Sequence, residues 1–554
     1  MSDGLAENHN SEINGQEFTA LIEASLTWLR TNQEAVNALN VFPVPDGDTG
    51  TNMVLTLQAA FDELQTTQNK DHVGDLAERL AHGALMGARG NSGVILSQIW
   101  RGFSKGIADV DNLNGTALVA GFQQARDTAY KGVVRPVEGT ILTVSKDCAI
   151  AAEEAFNENP DPRSILEQVL KAARESVDRT PELLDVLREA GVVDAGGKGL
   201  MHIIEGMVRY LHNEPLDVEP VHVKPLSLIG KEEAINASEP GQDYEVIVDF
   251  TPHNTLELTT FYDELEEIGT SIQVGEGDGL YRMHIHVPTE KRYDPIEYTM
   301  SLGTISKVYI ENLMEQVKTD SESEKEAALE LNPVKEGEIA VITISPGKGF
   351  SRIFASLGAA AIVEGGQTMN PSTQEILAAF ENLPTDRIIV LPNNKNIHMA
   401  AQSAAELSVK DVKVIPSITV PQGLAAMLRL IPGQELDQIV LEMNQAITEV
   451  ESGEITTAVR NAEIDGIEVE EGEIISLLNG KLIGSKETLE EGCFDFLEQA
   501  STDDLELITL FYGENITKSG AEDMAQKIQD RYPDHIVELQ YGGQPHYQFI
   551  ISIE

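Results

Sequence analysis

The sequence predicts a multidomain chain with an all-α N-terminal domain, an α+β middle domain and an α/β C-terminal domain. Three observations predict it. The length, 554 residues, exceeds what one hydrophobic core usually serves and points to about three domains. Apolar residues recur at helical spacing from Gln16 to about residue 215, with no convincing strand between them. Beyond residue 335, short apolar strands alternate with helical segments, the pattern of a parallel sheet.

Composition narrows the function before any motif is read. With 41% hydrophobic residues the chain can bury real cores. Its 91 acidic against 39 basic residues give a formal charge of −52, which repels nucleic acid phosphates and anionic lipid headgroups at long range. Nucleic acid binding and direct membrane insertion are therefore not expected. No run of 18 or more apolar residues occurs, and the start Met-Ser-Asp-Gly-Leu-Ala-Glu lacks the basic and apolar parts of a signal peptide, so the expected location is cytoplasmic. Cys148 and Cys493, far apart in sequence, fit a reducing compartment.

In chain order, residues 1–14 are polar and expected to be disordered. A helix from Gln16 to Asn40 follows, carried by Phe18, Leu21, Ile22, Leu26 and Leu29. It delivers the chain into Leu-Asn-Val-Phe-Pro-Val-Pro-Asp-Gly-Asp-Thr-Gly-Thr-Asn-Met, residues Leu39 to Met53. Pro43 and Pro45 prevent the helix from continuing, while Gly47 and Gly50 allow tight turns and close approach of backbone to a ligand. Asp46 and Asp48 can then face one Mg²⁺ or a pair, with Asn40 adding a carbonyl oxygen. Mg²⁺ held by one or two carboxylates, its other positions left to water and substrate phosphates, is the usual arrangement in kinases and ATPases. A plain Pro-Asp-Gly turn is the alternative for an isolated Asp-Gly-Asp, but this motif runs on too far.

Further helices are expected at 51–66, 73–86, 92–106, 115–131, 139–157, 163–177, 181–190 and 198–212. Three glycine-bearing loops precede helices: Gly87 to Gly93, Arg135 to Thr140, and Val193 to Gly199. The amides and positive helix end after the first loop can bind phosphate, with Asn91 and Ser92 as side-chain donors; an ordinary N-cap with packing glycines explains the same residues equally well. A Pro- and Val-rich stretch, Glu214 to Pro225, reads as a linker.

The middle domain, 216–335, should hold strands at Tyr244–Phe250 and Tyr281–Val287 around a helix near Thr255–Ile268, and it ends in a charged spacer, Ser321–Glu330. In Arg-Met-His-Ile-His-Val, His284 and His286 share one face of a strand and can serve one metal or one substrate group, or simply form a polar face. The C-terminal domain, 336–554, should place strands at Ile339–Ser345, Ala361–Glu364, Arg387–Leu391 and Val412–Pro416. Gly365 to Thr373 follows the second of these, where such sheets carry ligand loops, and Ser372 with Glu375 reads as a capping box. An internal echo, Leu256–Tyr262 against Leu505–Tyr512, suggests a shared βαβ-like unit.

The run from Leu39 to Met53 resembles the metal and nucleotide loop of the family whose ATP-binding domain is like the L subunit of dihydroxyacetone kinase, and most closely the ATP-binding subunit of bacterial fatty acid kinase. The resemblance extends over essentially the full chain, including Gly303–Gln316 and Gly365–Thr373. It implies an N-terminal helical barrel with ATP and two Mg²⁺ at one end. Asn40, Asp46 and Asp48 would be the Mg²⁺ ligands, and Thr49, Thr51, Asn52, Asn91, Ser92, Gly93, Thr140, Asp194 and Gly196 would surround the nucleotide. It implies catalytic roles for Asp46, Asp48, His284 and His286. Matching histidines in the family join a cysteine that follows a tyrosine, whereas Tyr244 is here followed by Glu245; any Zn²⁺ would fall to Glu245, His284 and His286. The activity implied is phosphorylation of a fatty acid to an acyl phosphate for phospholipid synthesis, the acyl chain being presented by a separate fatty-acid-binding carrier protein, with a homodimer as the expected assembly. A glycerone kinase-type phosphotransferase and a non-catalytic nucleotide-sensing scaffold are the competing readings.

Overall fold

The computed structural model describes residues 12–40, 47–67, 72–133, 135–216, 244–253, 256, 260–261, 264–265, 267–277, 280–312, 331, 333–367, 369–431, 433–458, 462–464, 466–500 and 506–554. Residues 1–11 of the polar start, Asp46, most of the linker and the charged spacer lie outside the described residues. The chain forms two compact units, Met1–Leu216 with Leu329–Glu554, and Asp217–Ala328.

The N-terminal part of the first unit holds ten helices among the described residues: α1 Gly15–Thr31, α2 Gln33–Asn37, α3 Thr49–Gln65, α4 Val73–Met86, α5 Gly90–Gly106, α6 Gly115–Lys131, α7 Ile141–Glu158, α8 Pro162–Leu183, α9 Asp185–Glu189 and α10 Ala195–Leu211. Their starts are written in short polar side chains. The Asn14 carboxamide accepts from the amides of Gln16 and Glu17, both at 3.0 Å, and Asp161 caps α8 ahead of Pro162 in its first turn. Two boundaries differ from expectation. The single helix expected from Gln16 to Asn40 is broken at Asn32, whose side chain donates to the Trp28 carbonyl at 2.8 Å and so competes with the helical ladder. Conversely, α8 runs on to Leu183 through Pro181. Proline cannot donate to the carbonyl four residues back, Val177, but the Thr180 hydroxyl does so at 2.7 Å, and the helix survives.

The apolar stripes of these helices meet in one core that includes Leu29, Met53, Leu57, Leu96, Val144, Leu166 and Ile204. Close helix approach depends on glycine. At Gly102 of α5 a Cβ would lie 2.6 Å from Ala125 Cα on α6 and would also strike the Gln124 carbonyl. The one β feature among the described residues of this region is an isolated bridge between Ile13 and Leu113.

The second unit is an antiparallel sheet in the order β2-β3-β1-β4, from β1 Tyr244–Pro252, β2 Thr270–Gly277, β3 Leu280–Val287 and β4 Gly303–Asn312. One face buries Val246, Val248, Met283, Ile285 and Val287 with Phe261 and Leu265. Helix α11, Asp294–Leu302, joins β3 to β4.

The C-terminal part of the first unit opens with the expected strands: β5 Ile339–Ser345, β6 Ala361–Glu364, β7 Arg387–Leu391 and β8 Asp411–Val414 form a parallel sheet in the order β6-β5-β7-β8. The helices between and after them are α12 Lys348–Ser356, α13 Thr373–Glu381, α14 His398–Leu407, α15 Val420–Met427 and α16 Leu436–Ala446. β5 is buried along nearly its whole length, hence its unbroken apolar run. A second sheet follows that a single parallel layout did not contain. Its strands are β9 Glu451–Thr457, β12 Ile474–Leu478, β13 Lys481–Lys486, β14 Leu507–Tyr512, β15 Ile536–Tyr541 and β16 Tyr547–Ile553, beside the small pair β10 Ala462–Ile464 and β11 Ile467–Val469. The six lie in the order β13-β12-β9-β16-β14-β15. α17 Leu489–Gln499 and α18 Lys518–Arg531 complete it.

The internal echo does not hold as a structural repeat. Leu507–Tyr512 is strand β14, whereas Thr260 and Phe261 in the first copy are helical.

No helix among the described residues is long and apolar enough to cross a membrane. Cys148 and Cys493 are free thiols buried in separate cores. Replacing Gly102 by alanine should lower unfolding free energy by about 1–3 kcal/mol through overpacking of α5 on α6, measured by denaturant titration of the purified variant.

Candidate functional site

Asp48 occupies the position before α3, but with φ −106° and ψ −4° it is not in the extended conformation of a capping residue, and its side chain makes no capping bond. The carboxylate turns elsewhere. It is 7% exposed. One oxygen lies 3.5 Å from the Asn40 amide nitrogen, and the other accepts from the Asn370 side chain. Burial pushes its pKa up to about 6, against the opposing pull of hydrogen bonds from Asn52 and Asn370. Gly47, at φ +60°, makes the turn into it.

The other residues of this loop differ in their surroundings. Thr49 begins α3 and is half-buried. Thr51 is tied to α2: its hydroxyl accepts from Gln33 and Asn37, each at 3.1 Å, and its amide donates to the Asn37 carboxamide. Asn52 is 4% exposed beside Gly90. At φ +56°, Gly90 leaves so little room that a Cβ there would lie 2.6 Å from the Asn52 side-chain nitrogen. Asn91 and Ser92 stand half-buried in the first turn of α5, and a Cβ on Gly93 would run into the Thr56 hydroxyl of α3.

Two more helix starts belong to this end of the region. Thr140 caps α7, accepting from the Leu142 amide at 3.3 Å. Asp194 caps α10, accepting from the Gly197 amide at 2.6 Å, and desolvation of its carboxylate pushes its pKa up to about 6. Glycine contacts show that the starts converge. A Cβ on Gly196 would lie 3.3 Å from Ile141 Cβ, and one on Gly199 would lie 2.7 Å from Met53 Cε. The N-termini of α3, α5, α7 and α10 thus share one end, each bringing the positive pole of its dipole. Such an end attracts anions such as phosphate.

The C-terminal sheet reaches the same place. The loops that follow β6 and β7 leave the carboxyl ends of their strands, the edge where parallel sheets place ligands. Arg89, just before α5, donates to the Asn370 carbonyl at 3.0 Å and pairs with Glu375 at 3.0 Å. The Thr373 amide donates to the Ala88 carbonyl at 3.1 Å. Asn91 donates to Asn396 at 3.2 Å. Ala88 and Val94 are buried in one apolar cluster with Ile344, Ile376 and Phe380. The expected capping box of Ser372 and Glu375 is present. Sequence reasoning did not single out Asn370, Asn396 or Arg89; the available signal was the position of Gly365–Thr373 after a parallel strand.

A hard cation fits this site. Its donors are oxygens: the desolvated Asp48 carboxylate, the Asn40 carboxamide, and the Asn370 side-chain oxygen, which is buried and has no hydrogen-bond partner among the described residues. Among the described residues no group of three or more His, Cys, Asp or Glu forms a metal cluster, and Asp46 lies outside them.

In the second unit, strand register puts His286 opposite Glu245 on β1 and Thr270 on β2, with His284 opposite Ile247 and Gln273. His286 is 6% exposed. The side chains of Glu245 and His284 lie outside the described residues.

Comparison with known proteins gives matches along most of the chain. The C-terminal model of the FakA-like family, whose name stands for fatty acid kinase, matches residues 340–554; the DAK2 domain model matches residues 43–209, and the FakA-like middle domain model residues 239–320. An uncharacterized protein of Staphylococcus haemolyticus is 38% identical over 553 residues, covering 98% of this chain and 100% of its own. Protein YloV of Bacillus subtilis is 38% identical over 552 residues, covering 98% and 99%. Among solved structures, a Streptococcus pneumoniae fatty acid kinase B3 protein loaded with linoleic acid is similar at 11% identity and TM-score 0.27, over 39% of this chain and 99% of that one. A dihydroxyacetone kinase from C. freundii in complex with AMP-PNP and Mg²⁺ is similar at 18% identity and TM-score 0.29, over 38% and 37%. Scores this low bear no weight on fold or function. The full-length relatives and the three domain matches do: the chain belongs to the FakA-like family of fatty acid kinase proteins, with a kinase-type DAK2 domain in its N-terminal part.

Proposed function

We propose that the chain is the ATP-binding, phosphoryl-transferring subunit of a fatty acid kinase of the cytoplasm. The observation that carries this reading is a desolvated carboxylate, Asp48, set where four helix N-termini meet. A buried anion without a cation is costly, and a ring of helix starts without an anion is unsatisfied; a Mg²⁺–nucleotide answers both. Asp48 and Asn40 would hold Mg²⁺, with Asp46 as the second carboxylate of the motif. Bound there, Mg²⁺ supplies charge neutralisation and orientation for the nucleotide's phosphates, which is most of what phosphoryl transfer asks of a protein. Asn91, Ser92 and the amides at the starts of α5 and α10 then bind and orient phosphate oxygens.

A fatty acid carboxylate suits a site poor in bases. With a reference pKa near 4 it is already ionised at pH 7, so no general base has to take a proton from it. An alcohol acceptor such as dihydroxyacetone would need one. The family is named for one component of a fatty acid kinase, which supports a second component that presents the sparingly soluble acyl chain. In this division of labour residues 1–215 bind nucleotide in a helical barrel, while 216–335 and 336–554 serve presentation of the acceptor, the latter also bringing Asn370 to the metal loop.

Asp46→Ala or Asp48→Ala should abolish ATP consumption with a lipid-loaded carrier protein while leaving far-ultraviolet circular dichroism unchanged. Running the carrier beside dihydroxyacetone decides the acceptor: turnover with the ketone alone would defeat the fatty acid reading.

Asp48 also ties stability to pH. Its folded pKa, about 6, stands above the ordinary 3.8, so the folded chain binds the proton more tightly than the unfolded one does. Its stabilising effect is present below pH 4 and is lost as pH rises through 6. In divalent-free buffer Asp48→Asn should therefore raise the melting temperature at pH 8 and gain less at pH 5, with a difference on the order of 2 kcal/mol. Replacing both His284 and His286 by alanine should lower acyl phosphate formation without weakening ATP binding. Elemental analysis of both proteins shows whether zinc leaves with the histidines.

A further inference from the structure

We propose that Asn370, a residue of the C-terminal sheet's loops, is a positioning residue for the Asp48 carboxylate, so that the metal loop is complete only with the C-terminal part of the chain docked on it. The inference rests on the metal reading of Asp48 given above and extends it to a part of the chain 322 residues away.

Three observations carry it. Asn370 is 2% exposed and commits its side-chain nitrogen to Asp48, the one acidic residue of the motif among the described residues. Its side-chain oxygen is buried with no partner among the described residues, although a buried amide oxygen ordinarily finds a donor. And the loop is held in place by contacts that do not involve the carboxylate: Arg89 on the Asn370 carbonyl and on Glu375, and the Thr373 amide on the Ala88 carbonyl. The backbone is therefore fixed independently, and the side chain is presented to Asp48 as a rigid donor.

The chemistry follows from the two ends of the amide. The NH₂ holds one oxygen of Asp48 and favours its ionised form, the form that binds a cation. The oxygen of the same amide is a buried acceptor with no partner among the described residues, suited to a water carried by a hydrated cation. Partners that orient a ligating carboxylate in this way typically change metal affinity 10–100-fold when removed.

The test uses the full chain and Mn²⁺ as the probe, with free Mn²⁺ followed by electron paramagnetic resonance. Asn370→Ala should weaken Mn²⁺ binding about 10–100-fold. Glu375→Gln, which weakens the Arg89 ion pair but keeps the helix cap, should leave it within about twofold, as expected of a part-exposed pair. Equal affinity of Asn370→Ala and wild type would overturn the inference while leaving the metal reading standing, and so would an equal loss in both variants, which marks mere docking. Failure of the wild type to bind Mn²⁺ would overturn the metal reading and this inference with it. Should the alanine variant misfold, Asn370→Asp is the same size and faces Asp48 with a second carboxylate. Its melting temperature should fall without Mn²⁺ and recover with it; indifference to Mn²⁺ would overturn the contact.

Discussion

The constraint on which the site depends is that a carboxylate removed from water must be met by something. Among the described residues Asp48 is met by amides: Asn40, Asn52 and Asn370 orient it without cancelling its charge. No lysine or arginine takes part in those contacts, although Arg89 lies close by and is committed to Asn370 and Glu375. A salt bridge would have quenched the carboxylate, whereas neutral donors fix its direction and leave its charge to attract a cation. Packing elsewhere serves this arrangement. Gly90 and Gly93 let α5 lie against α3, and Gly196 and Gly199 do the same for α10, so the helix starts can crowd around one carboxylate.

Much of the architecture was legible because it is local. Helix positions from α3 to α7 follow the apolar period closely, and the four parallel strands follow from apolar runs between helices. Boundaries failed where one side chain decided them. Asn32 breaks the first helix by bonding back to Trp28, and Thr180 keeps α8 alive across Pro181. The six-stranded sheet escaped because β9, Glu-Ser-Gly-Glu-Ile-Thr-Thr, is polar in composition and becomes a central strand only through β12 and β16 on either side. Of the site, Asp48 and the helix-start loops could be read from spacing and glycine. Asn370 sat inside the marked loop Gly365–Thr373, but its part in the site could not be read, since its contact with Asp48 spans 322 residues.

The second unit shows the same limit from another direction. The His-x-His pattern is visible in any strand reading, but the partner of His286 is set by register, which brings Glu245 directly across from it. A one-residue slip would place a core residue there and turn Glu245 to the other face. Burial of Val246, Val248, Met283 and Ile285 on the opposite face forbids that slip. Apolar packing on one face thus determines which positions stand opposite each other in register on the other.

The bond between residues 48 and 370 also has a consequence in time. A ribosome adds roughly 5–20 residues per second, so the helical region is complete roughly 10–30 seconds before the loop that contacts its metal-binding turn has been made. During that interval Ala88 and Val94, later buried beside Ile344 and Phe380, have no partner surface. The nascent chain must keep a finished bundle of helices waiting with one end uncovered. Such an order of events favours a helical region whose own core is large enough to stand alone, as the cluster running from Ile13 to Val208 is.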